Sequence, residues 1–238
     1  MGSQLSNSSV VSQTLASPFL AVKNGLIVSC QVPDDTAINT PEFIAAQALT
    51  VIQAGAVAIR AQGITNVRAI GKVVDVPIIG LVKRFDDSSP VYITPSVSDV
   101  LELENAGATI VAIDATGRLR TGGQTLADFV SQIRLESNVL LLADVDSVES
   151  AIEAEELGCD AVATTLSGYT DIPVTGLPNI DLIKEISKHV KIPIIAEGGF
   201  NRPESVSEAF AAGAMSVCIG TAITNPYLLT KHFLSAIN

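Results

Sequence analysis

The feature that most constrains this chain is an alternation repeated eight times: a short apolar run, then a longer stretch with apolar residues at helical spacing. The runs fall at 26–30, 57–60, 78–83, 110–114, 139–144, 161–164, 194–197 and 217–220. The helical stretches fall at 41–53, 64–74, 98–106, 125–136, 147–157, 179–189, 203–212 and 226–237. The runs are nearly continuous in Val, Ile, Leu and Ala, as parallel strands covered on both faces are. Eight such units in 238 residues match a single-domain (β/α)8 TIM barrel, a fold of about 250 residues. The competing architecture is an open doubly wound sheet, which normally carries a glycine-rich loop after its first strand. Here that place reads Ser29-Cys30-Gln31-Val32-Pro33.

Two further regularities agree. Ala54-Gly55-Ala56, Ala106-Gly107-Ala108, Leu157-Gly158-Cys159 and Ala212-Gly213-Ala214 each close a helical stretch just before an even-numbered run. Glycine there supplies the left-handed turn that ends a helix. The third and seventh runs rhyme: Val76-Pro77-Ile78-Ile79-Gly80-Leu81-Val82-Lys83 against Ile192-Pro193-Ile194-Ile195-Ala196-Glu197. Residues 1–18, rich in Ser, Gln and Asn, read as a loose tail, and 19–238 as the barrel. The tail lacks the basic start and apolar stretch of a signal peptide.

In such barrels the working groups stand at the carboxyl ends of the strands. The residues falling there are Gln31, Arg60, Lys83, Asp114, Asp144, Thr164 with Thr165, Glu197, and Gly220 with Thr221. The seventh run continues as Glu197-Gly198-Gly199 and the eighth as Gly220-Thr221-Ala222. Small residues at this pair of loops favour a phosphate, held by backbone N–H groups; tight turns are the plainer reading. Lys83 and Glu197 end the rhyming runs and suit an acid/base pair. A salt bridge at the mouth or a lysine Schiff base would use the same residues.

Composition narrows the partners. A formal net charge of −11 argues against nucleic acid or an anionic membrane, and no apolar run is long enough to span a bilayer. Cys30, Cys159 and Cys218, odd in number and widely spread, suit reduced core thiols in a cytoplasm. His189 and His232 fall on outer helices away from the strand ends, so no metal site is expected, and no nicotinamide fingerprint is present. The basic run Gly117-Arg118-Leu119-Arg120-Thr121-Gly122-Gly123 either closes over the site or is a solvated loop. Tyr227-Leu228-Leu229 on the last helix points to a homo-oligomer, a dimer first.

The chain also resembles the N-acylglucosamine-6-phosphate 2-epimerases, or N-acetylmannosamine-6-phosphate epimerases. The matching stretches are Gly25 to Gln31, Ala54 to Arg60, Pro77 to Arg84, Val91 to Pro95, Ala112 to Asp114, Thr164-Thr165-Leu166-Ser167-Gly168-Tyr169-Thr170, Ile195 to Gly198, and Gly220 to Thr224. The resemblance implies a cofactor-independent interconversion of N-acetylmannosamine 6-phosphate and N-acetylglucosamine 6-phosphate in sialic acid and amino sugar catabolism. By motif it makes Lys83 the catalytic base and Glu197 its acid/base partner. Gln31, Arg60, Tyr92, Asp114 and Thr165 become substrate contacts, and Gly198, Gly199, Gly220 and Thr221 the phosphate cradle. Two positions depart from the family. Gly199 stands where many members have Arg, with Arg202 nearby as a substitute, and Phe85 stands where they often have Asp. Two other readings of the same residues are a Schiff-base lyase or synthase on a phosphorylated substrate, and a sugar-phosphate-binding barrel without activity.

Overall fold

The computed structural model describes residues 17–237. The expected tail therefore lies outside the described residues, except that Ser17 and Pro18 open a first helix, α1 (Ser17–Val22). In chain order there follow β1 (Leu26–Cys30), α2 (Pro41–Gln53), β2 (Ala58–Gln62), α3 (Ile64–Ile70), β3 (Ile78–Leu81), α4 (Val97–Asn105), β4 (Ile110–Asp114), α5 (Leu126–Glu136) and β5 (Leu140–Asp144). The second half holds α6 (Val148–Glu156), β6 (Ala161–Ala163), α7 (Ile180–His189), β7 (Ile194–Glu197), α8 (Pro203–Ala211), β8 (Ser216–Ile219), α9 (Thr221–Thr224) and α10 (Pro226–Leu234). All eight strands are parallel and close in sequential order, β8 pairing with β1. This is the (β/α)8 barrel read from the alternation.

Strand alternation sorts the apolar residues into two cores. Outward-facing Val28, Ile59, Val111, Leu141, Val162 and Val217 pack under the helices. Inward-facing Ile27, Ala58, Ile79, Ala112, Leu142, Ala161, Ile195 and Cys218 fill the barrel. Phe19 and Val22 of α1 join this inner set and are fully buried, so α1 plugs the amino-terminal end. The glycines ending the helices before β2, β4, β6 and β8 all take positive φ: 107°, 106°, 85° and 107° for Gly55, Gly107, Gly158 and Gly213.

The structure departs from the sequence boundaries where the chain leaves the barrel. β3 ends at Leu81, and Lys83 instead pairs antiparallel with Ile93 in a hairpin rising above the barrel. Thr94 closes that hairpin with φ +44°, uncommon for a β-branched residue. Val82 and Thr94 hold it: the Thr94 N–H donates to the Val82 carbonyl at 2.8 Å, and the Val82 N–H donates to Thr94 Oγ1 at 3.3 Å. After β8 the short α9 intervenes, tied to β1 by Thr224 Oγ1 donating to the Ser29 carbonyl at 2.7 Å. The redirected α10 has no buried residue. Among the described residues no helix is long and apolar enough to cross a membrane.

Candidate active site

The strand ends open into a cavity of about 1100 Å³. Gln31, Arg60, Lys83, Tyr92, Thr165, Glu197, Gly198, Gly199, Gly220 and Thr221 all line it. β3 and β7 lie four strands apart in an eight-stranded ring, so Lys83 and Glu197 approach the cavity from opposite sides.

Arg60 is the hub. The residue is 1% exposed, and among the described residues its side chain is the largest one buried to that degree. It donates through Nη1 to Asp144 Oδ1 at 3.0 Å and through Nη2 to Asp144 Oδ2 at 2.6 Å. Nη1 also lies 3.1 Å from Glu197 Oε2. Thr165 joins the two carboxylates, its hydroxyl lying 2.7 Å from Asp144 Oδ1 and 3.2 Å from Glu197 Oε2. Burial alone would lower the pKa of Arg60, but Asp144 and Glu197 outweigh it and hold the guanidinium charged. Among the described residues the Arg60 Nε–H is buried without a partner, a cost borne inside the site.

Glu197 is fixed through its backbone as well. Its N–H donates to Thr164 Oγ1 at 3.0 Å, and Thr164 Oγ1 donates to the Glu197 carbonyl at 2.9 Å. Burial raises the Glu197 pKa and Asp144 adds to the rise, while Arg60 and hydrogen bonds from Thr165 and the Cys218 thiol oppose it; the net shift is upward. Lys83 is different. Among the described residues it makes no ion pair. Its ammonium reaches cavity solvent yet has protein on most sides. That enclosure lowers its pKa, Arg60 lowers it further, and Glu197, Asp144 and Asp34 pull the other way. Lys83 is thus less basic and Glu197 less acidic than in water, and the two pKa values are displaced toward each other.

Asp114 is not brought to the cavity. Its carboxylate accepts from the Thr116 N–H at 3.1 Å, from Thr116 Oγ1 at 2.7 Å and from Arg118 Nη2 at 2.6 Å, and Arg120 donates to its carbonyl. Most of the basic run is exposed, as in the solvated-loop reading, and none of it lines the cavity; Arg120 is the exception in being buried. Arg120 is 2% exposed, lies 4.0 Å over the Phe129 ring, and has its pKa lowered by burial to about 10. His232, expected far from the strand ends, lines the cavity, because α9 turns the chain so that α10 passes beside the mouth. The thiols of Cys30 and Cys159 are buried, which raises each pKa to about 12. Cys218 lines the cavity floor beside Glu197.

Sequence reading missed Ser29, Gln62, Phe85 and Cys218 on the cavity wall. Three of them were reachable by period two: Ser29 precedes Gln31 by two, Gln62 follows Arg60 by two, and Cys218 precedes Gly220 by two. Phe85 depended on the hairpin, which no periodicity announced. Among the described residues no cluster of His, Cys, Asp and Glu could hold a metal ion.

The sequence model of the family described as "Putative N-acetylmannosamine-6-phosphate epimerase" matches residues 44–238. The chain belongs to the N-acetylmannosamine-6-phosphate epimerase family. It is therefore an enzyme of the isomerase class. Relatives named "Putative N-acetylmannosamine-6-phosphate 2-epimerase" include one from Caldanaerobacter subterraneus, 42% identical over 91% of this chain and 92% of its own length. Another, from Clostridium perfringens, is 43% identical over 89% of this chain and 96% of its own. The solved structure of the C. perfringens N-acetylmannosamine-6-phosphate 2-epimerase superposes with a TM-score of 0.87 at 38% identity, covering 99% of this chain and 100% of that one. A thiamine phosphate pyrophosphorylase from Pyrococcus furiosus, 18% identical with a TM-score of 0.57 over 86% of this chain and 89% of its own, shares the barrel alone. The departure at Gly199 has a physical reason within this family member. Gly199 sits at φ +75°, and a Cβ there would lie 2.4 Å from the Leu177 Cβ. Leu177 occupies the space a side chain would need.

Proposed function

We propose that this epimerase interconverts N-acetylmannosamine 6-phosphate and N-acetylglucosamine 6-phosphate by removing the proton from C2 and returning one to the opposite face. The observation that carries this is the placement of Lys83 and Glu197 across one cavity, with pKa values displaced toward each other. In the ring form the C2 proton is too weakly acidic to remove. In the open-chain form C2 lies next to an aldehyde. Lys83 takes the proton, the C–H electron pair forms the C1–C2 double bond, and the carbonyl electrons move to oxygen as an enolate. Proton return to the other face, with Glu197 as partner, breaks that double bond and restores the aldehyde with C2 inverted. Charge that develops on oxygen needs a fixed positive neighbour, and Arg60 supplies one that does not titrate. Asp144 and Thr165 act through Arg60 and Glu197 as positioning residues.

The phosphate is assigned to Gly198, Gly199, Gly220 and Thr221, which line the cavity just beyond β7 and β8. Arg202, exposed on the same wall, adds the cation that Gly199 cannot carry. Gln31 and Tyr92 complete the substrate contacts. No cofactor enters the reaction. The setting is the cytoplasmic breakdown of sialic acid and amino sugars. The assembly is a dimer through α10, whose Tyr227 and Leu234 are 41% and 48% exposed and lie outside the cavity lining, an apolar face that a second copy would cover.

The direct test is to incubate purified protein with N-acetylmannosamine 6-phosphate and follow the anomeric proton signals by NMR. Appearance of the gluco epimer is expected; an unchanged spectrum at high enzyme concentration would refute the assignment. Sedimentation at micromolar protein should give a dimer, and a monomer would remove α10 from that role.

A further inference from the structure

Phe85 is 80% exposed, the highest value of any aromatic residue among those described. It is also one of the residues that line the cavity, with Lys83, Tyr92 and Ile93. Its ring stacks on Tyr92 with centroids 5.2 Å apart and planes 16° from parallel. The segment bearing it is braced from several directions. Lys83 pairs with Ile93 and Asp86 with Ser89, and the Arg84 N–H donates to the Tyr92 carbonyl at 2.9 Å. Ser89 Oγ donates to the Leu119 carbonyl at 2.9 Å, and Thr121 Oγ1 donates to Asp86 at 3.0 Å. One face of the ring is therefore stacked on Tyr92, and most of the ring is left open where the residue borders the cavity.

An aromatic face presented to a cavity suits an apolar part of a ligand. The position of Lys83 says which part. Resting on the function proposed above, Lys83 takes the proton from C2, and the N-acyl nitrogen is bonded to that same carbon. Once C2 is in reach of Lys83, the acyl group lies within a few bonds of it. Phe85 is two residues further along the chain, and both residues line the cavity. The phosphate and hydroxyls of the sugar need polar partners; the alkyl end of the acyl group does not. We propose that Phe85, backed by Tyr92, forms the subsite for the alkyl end of the N-acyl group and sets selectivity for acyl chain length.

The test compares N-acetyl, N-propionyl and N-butyryl mannosamine 6-phosphate as substrates for wild type, F85A and F85D. Each variant is checked by thermal denaturation, which should be near that of wild type because Phe85 buries little surface. For wild type, kcat/KM should rise about two- to fourfold per added methylene, the gain expected from burying a CH2 group. In F85D the three substrates should converge to within about twofold, with F85A between, and the loss should fall mainly on KM. An acyl series in F85D that keeps the wild-type slope would overturn the subsite. Wild type active on N-acetylmannosamine 6-phosphate but flat across the series would overturn the subsite alone. Wild type inactive on all three would overturn the proposed reaction and the subsite with it.

Discussion

Asp114 and Asp144 end neighbouring strands, are paired in register across β4 and β5, and are both 0% exposed. By every local criterion they are equivalent. Their partners differ in kind. Asp114 is held by Thr116 and Arg118, two and four residues further along its own loop. Asp144 is held by Arg60 and Thr165, at sequence separations of 84 and 21. The first carboxylate shapes a loop, and the second orients a site. Burial raises the Asp114 pKa and its local donors only partly offset that, so a perturbed carboxylate at a barrel mouth is not by itself a mark of function. The mark is whether its partners face the cavity.

That contrast can be broken in four places. Asp144→Ala leaves Arg60 buried with only Glu197 to balance it. Removing one partner of a buried ion pair costs about 3–5 kcal/mol, so urea denaturation should show a loss of that size together with near-complete loss of turnover. A stable, active Asp144→Ala would end the hub description of Arg60. Thr165→Val removes the hydroxyl bridging Asp144 and Glu197 and should lower kcat roughly tenfold, with about 1 kcal/mol lost in stability. Asp114→Asn should do the reverse: about 1–2 kcal/mol of stability, because Arg118 and Thr116 lose a charged acceptor, with kcat/KM within roughly threefold. A hundredfold loss of kcat/KM in Asp114→Asn would erase the distinction between the two aspartates.

Lys83 gives the smallest effect, of opposite sign. Its folded-state pKa lies below its unfolded value, so between those values the unfolded chain binds more protons and stability rises with pH. At neutral pH the charged ammonium costs stability, and Lys83→Met should raise Tm by roughly 1–3 °C while abolishing turnover. The gain should shrink as the pH rises toward and past 10.5, above which the lysine is neutral in both states. A lower Tm for Lys83→Met at pH 7 would mean that the ammonium has a stabilising partner.

The barrel was legible because its signals are local. Apolar runs, helix-ending glycines such as Gly55 and Gly213, and short connections are each written within a few residues. α1 (Ser17–Val22) was not, because a six-residue helix is too short for helical spacing to announce, and its first two residues fell in the stretch read as a tail. The cavity residues at strand ends followed from alternation, and ten positions named from the sequence meet there. What failed was everything set by pairing across loops. Asp114 was taken for a mouth residue because its sequence position matches that of Asp144; only the turn through Thr116 and Arg118 diverts it. Phe85 and Tyr92 meet because a hairpin folds residues 83–93 back on themselves, and His232 reaches the mouth because α9 deflects α10.

The central claim is that Lys83 and Glu197 move the C2 proton and exchange it with solvent. The most direct measurement is to run the epimerisation of N-acetylmannosamine 6-phosphate in deuterated water and read C2 of the product by NMR and mass spectrometry. The account gives N-acetylglucosamine 6-phosphate carrying one deuterium at C2, at a rate lowered by about 10²–10⁴ in Lys83→Ala and Glu197→Gln with the fold retained. Product formed with hydrogen still on C2 would contradict it.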